Sequence, residues 1–143
     1  MNIVNTINVL IENNYIPIIN ENDTVATDEI KFGDNDKLSG LTAVLLDVDL
    51  LIIATNTNGI YTKESMSNNK VKTITKSSDI QSLKSEIVFS ISEGGTGGMK
   101  TKIEAAGIAQ KANIETWILN GLQDNFMIDA IKNRTEFTKI ITA

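Results

Sequence analysis

The chain has 143 residues, 41% apolar and 5% aromatic, with 13 Lys plus Arg against 18 Asp plus Glu for a net charge of -5. That is the composition of one globular domain or part of a larger one. No Cys and no His occur, which excludes disulfides, thiolate zinc centres and every catalytic site built on a thiol or an imidazole. A single Arg, Arg134, and no basic stripe leave little to neutralise a phosphate backbone, so nucleic acid is not an expected partner. The longest apolar run, Leu50 to Ala54, falls far short of the ~20 residues of a membrane span. Met1 to Asn5 reads as neither a basic nor an apolar leader, and a cytoplasmic location is the expectation.

In chain order, Ile3, Ile7, Leu10 and Ile11 share one face of a helix that should stop near Asn13-Asn14. Tyr15 to Ile19 is a short β-branched run containing Pro17 and reads as a strand, followed by the polar loop Asn20 to Asp23. Thr24 to Phe32 alternates weakly, as an excursion or hairpin, and Gly33-Asp34-Asn35-Asp36 is a turn ending in a good helix N-cap. Leu38, Leu41, Val44 and Leu45 then recur at helical spacing. Asp49 to Ala54 is apolar after its first residue, as in a strand covered on both faces, and Thr55 to Thr62 closes it through a turn at Gly59.

Val71 to Ile74 is a weaker strand, and Ser77 to Ser92 carries no clear period. Gly94 to Gly98 is a glycine-rich turn ahead of a helix containing Ile103, Ala106 and Ala109, ending about Asn113. Glu115 to Leu119 reads as a buried strand, Asp124 to Lys132 as a helix and Phe137 to Ile141 as a last strand. Strands alternating with helices define an α/β domain with a mostly parallel sheet. Ligands bind such sheets at the carboxyl ends of the strands, where the polar loops Asn20–Asp23, Thr55–Asn58 and Gly94–Lys102 converge in this reading.

Two constellations carry possible chemistry. Gly94 to Lys102 packs four glycines, two threonines and two lysines ahead of a helix. Its backbone N–H groups and lysines suit a phosphate, although Met99 precedes Lys100-Thr101 where a Walker loop has Gly. A solvated connector is the alternative. Asn20-Glu21-Asn22-Asp23 and Gly33-Asp34-Asn35-Asp36 together hold four acids and three amides, able to bind the ammonium and carboxylate of a small amino acid or to orient a lysine. Ordinary turn chemistry, with Asp36 a plain N-cap, is the alternative here.

Three strings in one order decide between these readings. Ile16-Pro17-Ile18-Ile19-Asn20-Glu21-Asn22-Asp23-Thr24-Val25, Phe32-Gly33-Asp34-Asn35-Asp36-Lys37-Leu38-Ser39 and Gly95-Thr96-Gly97-Gly98-Met99-Lys100-Thr101-Lys102-Ile103-Glu104-Ala105-Ala106 closely resemble the glutamate 5-kinases of the amino-acid kinase family. The resemblance runs from about Asn2 to the end of the chain and implies a three-layer αβα, carbamate kinase-like fold. It implies transfer of the γ-phosphoryl group of ATP, used with Mg2+, to the side-chain carboxylate of L-glutamate, the entry to proline synthesis. On that resemblance Asp23, Asn35 and Asn20 bind glutamate, Asp36 organises catalytic lysines, and Lys102 is the catalytic cation. Thr55 and Asn56, with Thr96, Gly97, Gly98, Met99, Lys100, Thr101 and Lys102, hold ATP. No metal-ligand set is implied.

The sequence departs from the family in two places. Thr55-Asn56 stands where the family usually reads Thr-Asp, keeping hydrogen-bonding capacity while removing a charge. The strand, Lys and glycine-serine loop that open family members do not occur in these residues, nor does the RNA-binding-like module that some members carry at the C-terminus. The expectation is therefore a partial kinase domain over residues 1–143, poorly active by itself, that self-associates as a homo-oligomer or pairs with the absent segment. A non-catalytic remnant, or another kinase of the same fold, is the alternative.

Overall fold

The computed structural model describes residues 3–21, 35–61, 76–86 and 98–142. Helix α1 covers Ile3–Glu12 and α2 covers Asn35–Leu45, followed by strand β1, Leu50–Thr55. Strand β2, Lys76–Ser77, and helix α3, Ile80–Glu86, precede the longest helix, α4, Met99–Lys111. Strand β3, Glu115–Asn120, helix α5, Phe126–Ile131, and strand β4, Thr138–Ile140, complete the order. The expected Thr24–Phe32 hairpin, the Val71–Ile74 strand and the turn over Gly94–Gly97 lie outside the described residues.

Four helices stop by the same device. Asn14, Asp47, Asn113 and Asn133 take left-handed φ values of 61, 50, 61 and 52°. In each case the next residue's N–H reaches back to a carbonyl five residues earlier: Tyr15 to Leu10, Val48 to Ala43, Ile114 to Ala109 and Arg134 to Asp129. Short amide and carboxylate side chains tolerate this conformation better than branched ones, which is why asparagines punctuate the helices here.

The sheet order is β1-β3-β4-β2. β1 and β3 pair in parallel from Leu50↔Glu115 to Thr55↔Asn120, and β2 pairs in parallel with β4. β4 runs antiparallel to β3, so the sheet is mostly parallel, as expected, with one antiparallel pairing among the described strands. A parallel return after β3 needs a crossover long enough to retrace the strand. The six-residue α5 rises only about 9 Å against a strand about 20 Å long, and the chain re-enters the sheet at the end it left.

Alternation along the central strands separates two cores. Leu51, Ile53 and Ile118 pack with Ala43, Ile103, Ala105, Ala106 and Ala109 of α2 and α4, and with Leu83 of α3. Leu119, Ala130 and Phe137 pack on the opposite face with Ile52, Trp117 and Phe126. Helices thus cover both faces, the αβα layering expected from the sequence.

Tyr15–Ile19 is not a strand. Among the described residues the segment has no ladder partner, and Ile16 and Ile18 are 90% and 94% exposed. Pro17 has no N–H to give a ladder, and β-branching alone does not make a strand without a neighbour to pair with.

Candidate active site

The C-terminus of α2 joins the start of β1 through residues 46–49, and that of α4 joins the start of β3 through residues 112–114. Each helix packs back against its strand. Both helix N-termini therefore point to the carboxyl edge of the parallel pair, where α/β sheets place their ligands.

At that edge the two helices meet closely. A Cβ on Gly40 of α2 would lie 2.8 Å from the carbonyl oxygen of Ala105 in α4, so only glycine permits this approach. Asp36 is one turn before Gly40 and Thr101 one turn before Ala105, on the same helix faces. The backbone contact thus sets the separation of the two polar residues.

Asp36 receives two neighbours from α4. Lys102 Nζ donates to both carboxylate oxygens, at 3.0 and 2.9 Å. Thr101 Oγ1 lies 2.6 Å from Asp36 Oδ2 and 2.7 Å from the Gly98 carbonyl, its one proton shared between these acceptors. The ion pair is largely withdrawn from water, its side chains 14% and 16% exposed. Ser39 Oγ donates to the Asp36 carbonyl at 2.6 Å. Helix α2 begins at Asn35, so Asp36 is not a plain N-cap: it sits in the first turn and its carboxylate faces across to α4.

The electrostatics at the start of α4 are one-sided. Gly98 precedes it without a side-chain cap, and no acid lies in its first turn, whereas Lys100 and Lys102 add cations to the positive end of the helix dipole. Lysines there are unfavourable for helix stability. Their presence concentrates positive potential at the N-terminus of the helix, an arrangement that suits an anion. Asp36 offsets part of that field and holds Lys102 in place; Lys100 is exposed.

Beside this cluster Asn35 Nδ2 donates to Asn20 Oδ1 at 3.0 Å, and Glu21 N donates to Asn35 Oδ1 at 3.2 Å. The two expected amino-acid-binding loops therefore do meet, through amides that are exposed. Asp23, Thr96 and Gly97 lie outside the described residues.

Thr55 and Asn56 follow β1, with Thr55 Oγ1 3.5 Å from Asn56 Oδ1. An amide cluster behind them was not singled out from the sequence. Asn58 Oδ1 accepts from Asn120 Nδ2 at 3.0 Å and from Gln123 Nε2 at 3.3 Å. The available signal was the placing of asparagines just past the ends of both apolar strands, which ordinary turn composition explains equally well.

Residues 2–120 match the amino acid kinase family, and the chain belongs to that family. Among curated relatives it is 49% identical over 122 residues to the glutamate 5-kinase of Shewanella oneidensis, covering 85% of this chain and 33% of the relative. The Photorhabdus laumondii glutamate 5-kinase is 42% identical over 140 residues, 97% of this chain and 38% of the relative. That of Aliivibrio fischeri is 37% identical over 146 residues, 99% of this chain and 38% of the relative. The chain thus spans little more than a third of the length of these relatives.

Solved structures give the same fold at lower identity. The UMP kinase of Ureaplasma parvum superposes with a TM-score of 0.66 at 16% identity, over 97% of this chain and 53% of that one. The Giardia lamblia carbamate kinase bound to AMP-PNP gives 0.65 at 22% identity, over 98% and 49%. Among the described residues no helix is long and apolar enough to cross a membrane.

Proposed function

We propose that this chain is part of a cytoplasmic kinase domain that transfers the γ-phosphoryl group of ATP to the side-chain carboxylate of L-glutamate. The products are glutamyl 5-phosphate and ADP, at the first step of proline biosynthesis. The observation that carries the reading is the two-oxygen grip of Asp36 on Lys102 at the start of a helix whose N-terminal string resembles the glutamate 5-kinase ATP loop. Similarity to enzymes named glutamate 5-kinase supports the choice of acceptor.

In this reading a glutamate carboxylate oxygen forms the new bond to the γ-phosphorus as the bond to the β-bridging oxygen breaks, with ADP leaving. The nucleophile is already ionised, so no general base is needed, and the absence of His and Cys from these residues is no obstacle. What the transfer does need is alignment and neutralisation of charge spread over phosphoryl oxygens. Lys102 supplies the charge and Asp36 fixes where it sits. Thr96 to Thr101 wrap the phosphates, Thr55 and Asn56 hold the nucleotide, and Asn20, Asp23 and Asn35 bind the amino acid. Magnesium accompanies ATP, held chiefly by phosphate oxygens, and no residue of this chain is assigned to it.

The test is a chimera in which this chain replaces the matching third of the Shewanella oneidensis relative. It is offered magnesium ATP with glutamate, aspartate, N-acetylglutamate or UMP while ADP release is followed. Glutamate-dependent release that Lys102→Met abolishes is the expected result. Preference for another acceptor, or release indifferent to Lys102, contradicts the proposal.

A further inference from the structure

The ends of β1 and β3 are tied together more thoroughly than the parallel ladder requires. Gly121 N donates to Thr55 O at 2.8 Å, extending the pairing one residue beyond β3. A Cβ on Gly121 would fall 2.8 Å from Ala54 Cβ, so the two chains run in direct contact there. Gly59, at φ 127°, makes a turn that side chains disfavour. Thr57 Oγ1 donates to the Gly59 carbonyl at 2.9 Å, and Ile60 N donates to Thr138 Oγ1 at 2.8 Å.

Asn58 is the centre of this arrangement. Its backbone N–H donates to the Tyr61 hydroxyl at 3.2 Å, and its side-chain oxygen accepts from Asn120, the last residue of β3, and from Gln123 in the loop that follows. Asn120 is fixed in turn, because its own Oδ1 accepts from Leu122 N at 3.0 Å. The side chain of Asn56, two residues earlier, is exposed. The turn is thus braced from behind while its outer face stays open.

We propose that Asn58 is a positioning residue for nucleotide binding: its side-chain oxygen clamps the turn after β1 to the loop after β3, so that Thr55 and Asn56 meet the nucleotide in one fixed arrangement. The inference rests on the reading of that turn as part of the ATP site. A turn open to a ligand cannot be fixed by burying it under apolar side chains, and hydrogen bonds from the neighbouring loop do the same work without covering it. A preset arrangement removes an ordering cost at binding. Only the accepting oxygen of Asn58 takes part in the clamp, so a carboxylate can replace the amide.

The experiment measures magnesium ATP binding by calorimetry, and amide exchange over residues 55–60, with this chain carried in the chimera with the Shewanella oneidensis relative, for the unaltered chain, Asn58→Ala and Asn58→Asp. Asn58→Ala is expected to weaken ATP about tenfold, the order expected for two lost neutral hydrogen bonds, and to speed exchange in the turn while exchange along β3 stays slow. Asn58→Asp is expected to restore slow exchange in the turn and to recover most of the affinity. ATP binding by the unaltered chain with equal binding by Asn58→Ala overturns the role of Asn58 alone. Loss of slow exchange throughout β1 and β3 in Asn58→Ala reduces Asn58 to a fold-holding residue and also overturns the proposal. Absence of ATP binding by the unaltered chain overturns the nucleotide reading of the turn, and the positioning role falls with it.

Discussion

At the start of α4 a hydroxyl and an ammonium gather on one carboxylate, largely hidden from water, whereas at the ends of β1 and β3 the gathered groups are neutral amides and hydroxyls. The charged cluster depends on two helices held apart by no more than a missing methyl group at Gly40. The amide cluster depends on two strands that stop at the same level. Charge placed in a region of low dielectric acts strongly on a transferring phosphoryl group. Neutral amides shape and orient without adding field. One edge of the sheet thus combines a part suited to chemistry with a part suited to holding a ligand still.

The largest effect expected on this division is at Lys102. Lys102→Met should lower glutamate-dependent ADP release in the chimera by ~10²-fold or more, since a positioned charge facing developing charge is worth several kcal/mol. Circular dichroism should show the fold retained, because Asp36 keeps Thr101 and the start of α2. Lys100→Met, altering an exposed lysine, should do much less. Near-normal turnover in folded Lys102→Met would erase the distinction between the clusters.

Next come the amino-acid loops. Asp23→Ala and Asn35→Ala should each weaken glutamate binding by ~1.5–3 kcal/mol, the range for a hydrogen bond to a charged group, with ATP affinity kept. Calorimetry with each ligand separates the outcomes. A loss confined to ATP would move these residues to the nucleotide side.

Gly40→Leu breaks the charged cluster from beneath. Overpacking at a helix contact costs about 1–3 kcal/mol, read as a lower urea midpoint, and should lower turnover by less than Lys102→Met does while leaving slow amide exchange at Asn120 to Leu122. Retained turnover would show that the helix contact does not set the Asp36–Lys102 geometry.

Thr116→Val serves as a control outside both clusters. Thr116 is fully buried and its hydroxyl has no hydrogen-bond partner among the described residues, so removing that polar atom at constant shape should raise stability by about 1 kcal/mol. A fall in stability would mean that the hydroxyl is satisfied after all.

The smallest effect concerns an exposed carboxylate, in contrast to Asp36. Asp79 caps α3 by accepting from Gln81 N and Ser82 N, and the backbone bonds from Ser82 and then Gln81 hold its pKa below the ordinary value. With the folded pKa depressed, its contribution is present above the unfolded value and is lost as pH falls through the folded one. Asp79→Ala should therefore lower the melting temperature slightly near neutral pH, and the difference from the unaltered chain should vanish in acid. A difference that persists in acid would remove the carboxylate charge from the cap.

Much of this was legible in the residues. The apolar run at Asp49–Ala54 and the helical spacing after Asn35 and Met99 reflect burial patterns that any covered strand or amphipathic helix must show. The asparagines at helix ends marked real stops. Strand direction was not legible, because β4 turns antiparallel only through the shortness of α5, a tertiary matter. Tyr15–Ile19 has the composition of a strand but, in the described structure, no ladder partner. Helix α3 hid in a polar segment anchored by buried Leu83 and partly buried Ile80, whose start is the Asp79 cap. Within the site, Asp36 and Lys102 were singled out through resemblance to a family. The amide cluster was missed because single asparagines in turns have too many ordinary uses.

The central claim is that Asp36 acts through Lys102. A double-mutant cycle on glutamate-dependent ADP release by the chimera, comparing Asp36→Asn, Lys102→Met and both together, measures that coupling directly. The account predicts that the double variant loses little more activity than Lys102→Met alone, because once the lysine is gone the carboxylate's remaining bond from Thr101 serves the fold and not the transfer. Losses that multiply independently would contradict it and give Asp36 a role of its own.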